Sequence, residues 1–164
     1  MIRGNGMDEQ GKSGTSADRE RIRNAKIILV VEDSQLLHQM SELILLRYRQ
    51  QGCKILHAYN GKEAIAQLTD HPDCDLILLD LVMPEMDGLE FLEYRKQKGF
   101  HRDIPAVIMS IKGSKEEIQK GLQAGATAYL TKPVNSKEFF QLVDQILSKK
   151  SYPTRTRGGL VEEH

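Results

Sequence analysis

Residues 76–88 have the sequence LILLDLVMPEMDG. The four apolar residues Leu76–Leu79 are followed at once by Asp80, and the next segment contains a proline and ends at Gly88. A short apolar run bounded by turn residues is typical of a strand that is buried on both faces of a parallel sheet. We therefore predict a buried strand with Asp80 at its end, at the mouth of a loop.

Three other apolar runs also end in polar side chains. Ile27–Val31 leads into Glu32 and Asp33, and two later runs end at Ser110 and Lys132. The carboxyl ends of neighbouring strands lie side by side in an open parallel sheet, and ligands bind there. The acids, the hydroxyl and the ammonium are therefore predicted to meet at one edge of the sheet.

Strand and helix signals alternate along the chain. The predicted strands are Lys26–Glu32, Lys54–Tyr59, Leu76–Leu79, Pro105–Met109 and Thr127–Leu130. A helix is predicted after each strand. Ser34 and Ser136 are predicted to cap the first and last helices, Asn60 and Ser114 to open capping boxes, and Gly88 to precede the helix after the third strand. Five strand–helix units predict a three-layer α/β fold with a parallel sheet.

The first helix is predicted from the spacing of its apolar residues. These residues recur at helical intervals and are Leu36, Leu37, Met40, Leu43 and Ile44. Gly52 is predicted to end this helical region, because glycine readily adopts the backbone conformation found after a helix.

Composition limits the classes of function. The 164 residues are 40% hydrophobic and 28% charged, which is typical of an ordinary globular domain. The formal net charge is zero, from 23 basic and 23 acidic residues, so no basic excess favours nucleic acid or anionic lipid as a partner. The longest apolar runs are too short to span a bilayer.

The two ends of the chain differ in composition from its centre. Residues 1–24 are polar, show no apolar period and lack the apolar core of a secretory signal, and they are predicted to be a disordered arm. Residues 151–164 are predicted to be a disordered tail, which leaves one folded domain over residues 25–150. Cys53 and Cys74 lack the spacing of a metal or redox motif, which predicts two reduced thiols and a cytoplasmic location.

The acidic residues at the predicted edge point to a metal. Glu32, Asp33 and Asp80 would repel one another there, and a hard divalent cation such as Mg²⁺ would relieve the repulsion through oxygen ligands. The alternative is that these are unrelated loop acids that cap helices. Lys132 would pair with a carboxylate or a bound phosphoryl oxygen, and Ser110 would bind the same phosphoryl group; alternatively, Lys132 is solvated and Ser110 caps a turn.

Taken together, these motifs resemble those of the receiver domain of bacterial two-component response regulators. The resemblance covers roughly Lys26 to Lys149. The matching segments, in chain order, are Val30-Val31-Glu32-Asp33-Ser34, Asp80 with Met83-Pro84-Glu85-Met86-Asp87-Gly88, Ser110, and Ala128-Tyr129-Leu130-Thr131-Lys132-Pro133. The family implies a flavodoxin-like, doubly wound (βα)5 fold with a five-stranded parallel sheet of order 2-1-3-4-5.

The resemblance also implies a role for each site residue. Asp80 would accept the phosphoryl group, and Ser110 and Lys132 would hold its oxygens. Mg²⁺ would be bound by Asp80, by Asp33 directly, by Glu32 through water and by the backbone carbonyl of Val82. Tyr129 would be an aromatic switch whose rotamer follows Ser110.

The implied function is that of a stand-alone regulator, since the sequence shows no output domain after the last helix. It would receive phosphoryl from a histidine kinase or a histidine phosphotransfer protein and would catalyse only its own phosphoryl transfer and slow dephosphorylation. Phosphorylation would change the surface of the fourth predicted helix, the fifth strand and the last helix, and so control a downstream protein partner. We expect a monomer or weak homodimer that binds neither nucleic acid nor membrane.

Two alternatives belong to other classes. A receiver-like scaffold would bind a partner without being phosphorylated, and Ile111, where the family usually has a small residue, favours this by restricting access to Asp80. An aspartyl phosphohydrolase would carry a second Asp two residues after the first, but Val82 occupies that position. An apolar Val82 also cannot orient a water molecule, which predicts slow loss of the phosphoryl group.

Overall fold

The computed structural model describes residues 25–149. Within this range, strands and helices follow one another in the predicted order: β1 Ile27–Val31, α1 Gln35–Ile44, α2 Leu46–Gln50, β2 Lys54–Ala58, α3 Gly61–Asp70, β3 Leu76–Leu79, α4 Gly88–Lys98, β4 Ala106–Ser110, α5 Lys115–Gln123, β5 Ala128–Thr131 and α6 Ser136–Lys149. The predicted disordered segments 1–24 and 151–164 lie outside the described residues.

All five strands form one parallel sheet of order β2-β1-β3-β4-β5, which confirms the predicted flavodoxin-like topology. In the register, Val31 lies opposite Leu79, and Leu79 lies opposite Ile108. The ends of β1 and β3 are therefore level, and β4 continues two residues farther, to Ser110. The residues that follow β1 and β3 emerge beside the end of β4 at the carboxyl edge.

Both faces of the sheet are buried, which explains why its strands are continuous apolar runs. In β1, Leu29 and Val31 belong to the core shared with α3, α4 and α5, whereas Ile28 and Val30 belong to the core shared with α2 and α6. Side chains alternate between the faces of a strand, so a strand covered on both faces needs apolar residues at every position.

The first helical region differs from the prediction in two respects. It consists of two segments that meet at Leu45, and its inward residues are His38, Leu45 and Tyr48. Four of the five apolar residues that predicted the helix are exposed, at 42–75% of their surface: Leu36, Met40, Leu43 and Ile44. The apolar spacing located the helix but not its buried face.

The helix starts follow the sequence closely, with one exception. Side chains of Ser34, Asn60, Asp87 and Ser114 accept backbone N–H groups in the first turns of α1, α3, α4 and α5. The prediction that Ser136 caps the last helix was wrong. Asn135 is the cap, because its side chain accepts the N–H of Glu138. The Lys132–Pro133 peptide is cis. No helix in residues 25–149 is long and apolar enough to cross a bilayer.

Candidate functional site

The backbone at the carboxyl edge extends the sheet beyond the strand ends. The N–H of Asp80 donates to the carbonyl of Val31 at 3.0 Å, and the N–H of Glu32 donates to the carbonyl of Ala58 at 3.0 Å. These bonds hold the two acidic residues in register on neighbouring strands, so the position of each carboxylate follows from the parallel pairing.

Lys132 joins two of the acids. Its Nζ lies 3.4 Å from Asp80 Oδ2 and 3.5 Å from Glu32 Oε2. The N–H of Lys132 also donates to the carbonyl of Ser110 at 2.8 Å, which anchors the lysine backbone at the end of β4. The predicted meeting of Glu32, Asp80 and Lys132 is therefore present in the structure, in a half-buried pocket where the Asp80 side chain is 14% exposed.

The pocket holds more negative charge than Lys132 compensates. Burial, followed by the carboxyl groups of Asp80 and Asp33, raises the pKa of Glu32 to about 8. A hydrogen bond from the Ser34 N–H opposes this rise. The Lys132 ammonium is shared between Glu32 and Asp80. Asp33 lies at the exposed rim and its side chain contacts the Glu32 carboxyl. Burial is the largest cause of the rise and the neighbouring carboxyls add to it, so a cation bound beside Glu32 would favour its ionised form.

The donor set suits a hard cation that keeps part of its water shell. Among residues 25–149, no group of three or more His, Cys, Asp or Glu side chains is arranged as a complete metal cage. Mg²⁺ does not need such a cage, because it is commonly held by one or two carboxylates, with waters and phosphate oxygens as further ligands. The oxygen atoms of Glu32, Asp33 and Asp80, in a pocket short of positive charge, therefore fit Mg²⁺.

The loop after Asp80 is held against the start of α4. The Val82 N–H donates to Asp80 Oδ1 at 3.3 Å, and the Gly88 N–H donates to the Leu81 carbonyl at 3.0 Å. A Cβ on Gly88 would collide with the carbonyl oxygen of Asp80 and would lie 2.9 Å from Leu81 Cα. Glycine at position 88 is thus required for the close approach that positions Asp80. Sequence reasoning treated Gly88 only as a helix start.

Ser110 and Tyr129 flank the loop that joins β4 to α5. Ser110 is fully buried, and its Oγ accepts the Lys112 N–H at 3.2 Å. The Tyr129 hydroxyl donates to the Lys112 carbonyl. Partial burial raises the pKa of the Tyr129 phenol and keeps it protonated, although a hydrogen bond with Ser110 opposes the rise. Both side chains therefore hold the same loop residue.

Two apolar side chains lie on the outside of the site. Ile111 is 77% exposed and Val82 is 55% exposed. The Ile111 side chain is directed towards solvent, so it does not fill the pocket in the way that its bulk suggested from the sequence.

Sequence reasoning missed one histidine that contacts the site. His38 in α1 is buried, and its Nε2 lies 2.6 Å from the carbonyl oxygen of Glu32. The available signal was a histidine at the fourth position of the helix that follows the acidic pair. It was passed over because the apolar residues beside it were expected to form the buried face of that helix.

Comparison with known proteins identifies the family. The sequence profile described as "Response regulator receiver domain" matches residues 28–144, which is most of the chain. This chain belongs to the response regulator receiver family. Its strand order and the acid–lysine pocket at the carboxyl edge agree with that membership.

Curated relatives of this receiver domain come from bacteria and plants. It is 35% identical over 127 residues to the phosphate regulon transcriptional regulatory protein PhoB of Escherichia coli, with 77% of this chain and 54% of PhoB covered. It is 32% identical over 131 residues to the two-component response regulator ARR11 of Arabidopsis thaliana, with 78% of this chain and 24% of that protein covered. The chain spans about half the length of PhoB and less of ARR11.

A solved structure gives the same assignment. A signal receiver domain of a signal transduction histidine kinase from Syntrophus aciditrophicus matches with a TM-score of 0.68 and 29% identity, covering 83% of this chain and all of that one. Receiver domains are signalling domains rather than classical enzymes, work with histidine kinases or phosphotransfer proteins, and generally bind Mg²⁺ at the phosphorylation site.

Proposed function

We propose that this receiver domain accepts a phosphoryl group on Asp80 from a phosphohistidine of a kinase or phosphotransfer protein. The observation that carries the proposal is the contact of the Lys132 ammonium with both Asp80 and Glu32 in a pocket at the carboxyl edge of the sheet. This arrangement provides a nucleophile beside a fixed positive charge.

The transfer exchanges one bond to phosphorus for another. A carboxylate oxygen of Asp80 forms a bond to phosphorus while the bond between phosphorus and the donor imidazole nitrogen breaks. The imidazole leaves with the bonding electron pair, and the product is an aspartyl phosphate. The transition state is loose and spreads negative charge over three equatorial oxygens, so positioning and electrostatics matter more than proton transfer.

Each site residue has an assigned task in this proposal. Lys132 binds one phosphoryl oxygen, and the buried Ser110 hydroxyl binds another after it leaves the Lys112 N–H. Asp33, Asp80 and the Val82 carbonyl would hold Mg²⁺, with Glu32 assisting through water. When bound, the cation would supply positive charge opposite the phosphoryl oxygens.

The same proposal includes a route for the output. Ser110 and Tyr129 both hold Lys112 in the loop before α5. When Ser110 turns towards the phosphoryl group, this loop loses one of its two anchors, and Tyr129 is released to move inward. The face formed by α5, β5 and α6 then changes shape, as a two-state element biased by the new charge.

We further propose that output runs through protein contacts of this face, that the protein acts as a monomer or weak homodimer, and that it is cytoplasmic. Supporting observations are the exposed Leu122 on α5 and two buried cysteines, Cys53 and Cys74, that form no disulfide with each other. The alternative of a scaffold that is not phosphorylated depended on Ile111 blocking access to Asp80. Because the Ile111 side chain is exposed, the structure does not support that alternative.

The test is to incubate the full chain with acetyl phosphate and Mg²⁺ and to measure intact mass. We expect one phosphoryl adduct on the wild type and none on Asp80→Asn. An Asp73→Asn variant is the matched control, because Asp73 is an exposed aspartate in the loop before β3. An adduct that persists in Asp80→Asn, or a wild type that forms none, would contradict the proposal and, in the second case, favour the scaffold.

A further inference from the structure

Two histidines form a chain of short contacts that begins at the acidic site and ends on the outer surface of α1. His38 Nε2 lies 2.6 Å from the Glu32 carbonyl oxygen, and His38 Nδ1 lies 2.6 Å from His57 Nδ1 in β2. His57 Nε2 lies 2.6 Å from Glu42 Oε1, and Arg49 holds the same carboxylate at 2.7 Å.

The acceptors at the two ends determine where the protons are. A carbonyl oxygen only accepts, so His38 Nε2 carries a hydrogen. The ionised Glu42 carboxylate also only accepts, so His57 Nε2 carries one as well. The two Nδ1 atoms face each other at 2.6 Å, and two lone pairs would repel there, so one of them carries a third hydrogen. A hydrogen bond between the two Nδ1 atoms therefore joins the rings.

The surroundings fix the state of the His38 ring. Burial lowers the pKa of His38, although its bond to the Glu32 carbonyl opposes this, so the His38 ring is neutral. Burial acts to raise the pKa of Glu42, but hydrogen bonds from His57 and Arg49 outweigh it and the pKa is lowered. The Tyr59 ring covers His38 at 4.4 Å between centroids. His38 is thus fixed in one tautomer and one orientation.

The contact with Glu32 acts on the peptide that joins the two acidic residues. The Glu32 carbonyl and the Asp33 N–H belong to one planar peptide group, and His38 holds that carbonyl. The next peptide is held through the Ser34 N–H, which donates to Glu32 Oε1 at 3.2 Å. With both peptides that flank Asp33 fixed, the direction in which the Asp33 side chain leaves the backbone at the exposed rim is set.

We propose that His38 is a positioning residue, which acts through the Glu32 carbonyl to hold the Asp33 carboxylate ready for Mg²⁺, and that His57 and Glu42 hold His38 in the orientation this requires. The inference rests on the proposed function for the identity of the metal. It adds a link from the outer surface of α1 to the acidic pair.

Two substitutions at His38 separate positioning from simple packing. His38→Gln keeps an N–H for the Glu32 carbonyl and an oxygen that accepts from His57, whereas His38→Leu fills similar space without either. His57→Leu leaves His38 in place but removes its partner, and His71→Leu removes a histidine from the far end of α3 as the control. The readouts on the full chain are Mg²⁺ affinity by calorimetry, the ¹⁵N shift of the Asp33 amide and the free energy of unfolding.

We expect His38→Leu to weaken Mg²⁺ binding about tenfold or more, as is typical when a partner of a metal ligand is lost. His38→Gln should stay within about threefold of the wild type, because both hydrogen bonds are kept. His57→Leu should lie between them, and the Asp33 amide should shift in the two leucine variants but not in His71→Leu.

Equal Mg²⁺ affinity in His38→Leu and wild type, or equal weakening in the Leu and Gln variants, would overturn the inference. If His38→Leu does not fold, the His57→Leu variant provides the test. Wild-type Mg²⁺ affinity and an unshifted Asp33 amide in that variant would overturn the inference. A wild type that binds Mg²⁺ with the expected variant pattern, but forms no phosphoryl adduct, would overturn only the proposed function. A wild type that binds no Mg²⁺ would overturn both.

Discussion

The Lys132 ammonium lies 3.4 Å from Asp80 Oδ2, although the two residues are 52 positions apart in the sequence. The contact exists because Asp80 follows β3 and Lys132 follows β5, with β4 between them in the same parallel sheet. The contact places a positive charge beside the proposed nucleophile, although the two residues are not neighbours in the sequence.

Replacing Lys132 with Met should slow phosphorylation by acetyl phosphate about 100-fold, the usual scale for removing one charge-stabilising donor from a reaction site. The physical reason is that charge on the equatorial oxygens then lacks its ammonium partner. Rates are measured by intact mass at saturating Mg²⁺. Lys98→Met, which removes an exposed lysine from the last turn of α4, should leave the rate unchanged; equal rates for both variants would contradict the role of Lys132.

The stability of the metal-free protein should fall as the pH rises from about 4.5 to about 8. The Glu32 carboxyl has an ordinary pKa of 4.5 when the chain is unfolded and a pKa of about 8 in the fold. Between these values the folded protein binds more protons than the unfolded chain, so the free energy of unfolding decreases with pH. We expect a loss of about 1 to 2 kcal/mol, since water and Lys132 reach the pocket and screen the charges.

Urea unfolding in the presence of a chelator measures this effect at the two ends of the range. Glu32→Gln removes the titrating group, so its stability should change less with pH than that of the wild type. Mg²⁺ should restore most of the loss at pH 8, because it binds the folded form only. Parallel pH dependences of variant and wild type would count against the assignment to Glu32.

Gly88→Ala should destabilise the protein by about 1 to 3 kcal/mol and slow phosphorylation, because the added methyl group pushes the Asp80 loop away from α4. Gly99→Ala is the control at the other end of α4. There a Cβ meets nothing within 4 Å, and only the backbone strain at φ 61° is introduced. That variant should lose stability but keep its rate of phosphorylation, and a normal rate in Gly88→Ala would refute the positioning argument.

Arg95→Met should destabilise the fold by about 2 kcal/mol or more without changing Mg²⁺ affinity. The buried guanidinium donates to three carbonyls, those of His101, Ile104 and Gly125, and so joins the loops at the edge of the sheet opposite the site. Arg95→Lys should be intermediate, since one ammonium does not span all three acceptors. The midpoints of urea unfolding measure the loss of stability in each variant. A loss below about 0.5 kcal/mol in Arg95→Met would show that water replaces the guanidinium.

The phosphorylated protein should lose its phosphoryl group slowly, and Val82→Asn should accelerate the loss. Val82 is 55% exposed at the rim of the pocket, so a polar side chain is tolerated there and can orient an attacking water. Decay of the mass adduct after removal of acetyl phosphate gives the rate for both proteins. A wild-type lifetime of seconds, or no acceleration in the variant, would reject this account.

The apolar and capping patterns of the sequence were sufficient for the alternation of strands and helices and for the edge where the acids and Lys132 meet, whereas the strand order was predicted from the family resemblance. Strands covered on both faces are continuous apolar runs, so runs such as Leu76–Leu79 were recognisable without further information. Parallel strands end at a common edge of the sheet. The acids after β1 and β3 and the lysine after β5 were therefore expected to lie near one another. These features depend on local pattern and on the geometry of a parallel sheet.

Only the tertiary structure determined which groups each side chain contacts. The apolar spacing of α1 did not reveal that His38 faces inward, because Leu36 and Met40 form an equally regular stripe that stays in solvent. The raised pKa of Glu32 and the need for glycine at position 88 likewise depend on groups brought close from other elements. Contact distances and burial arise from the packing of elements far apart in the chain, and no local pattern encodes them.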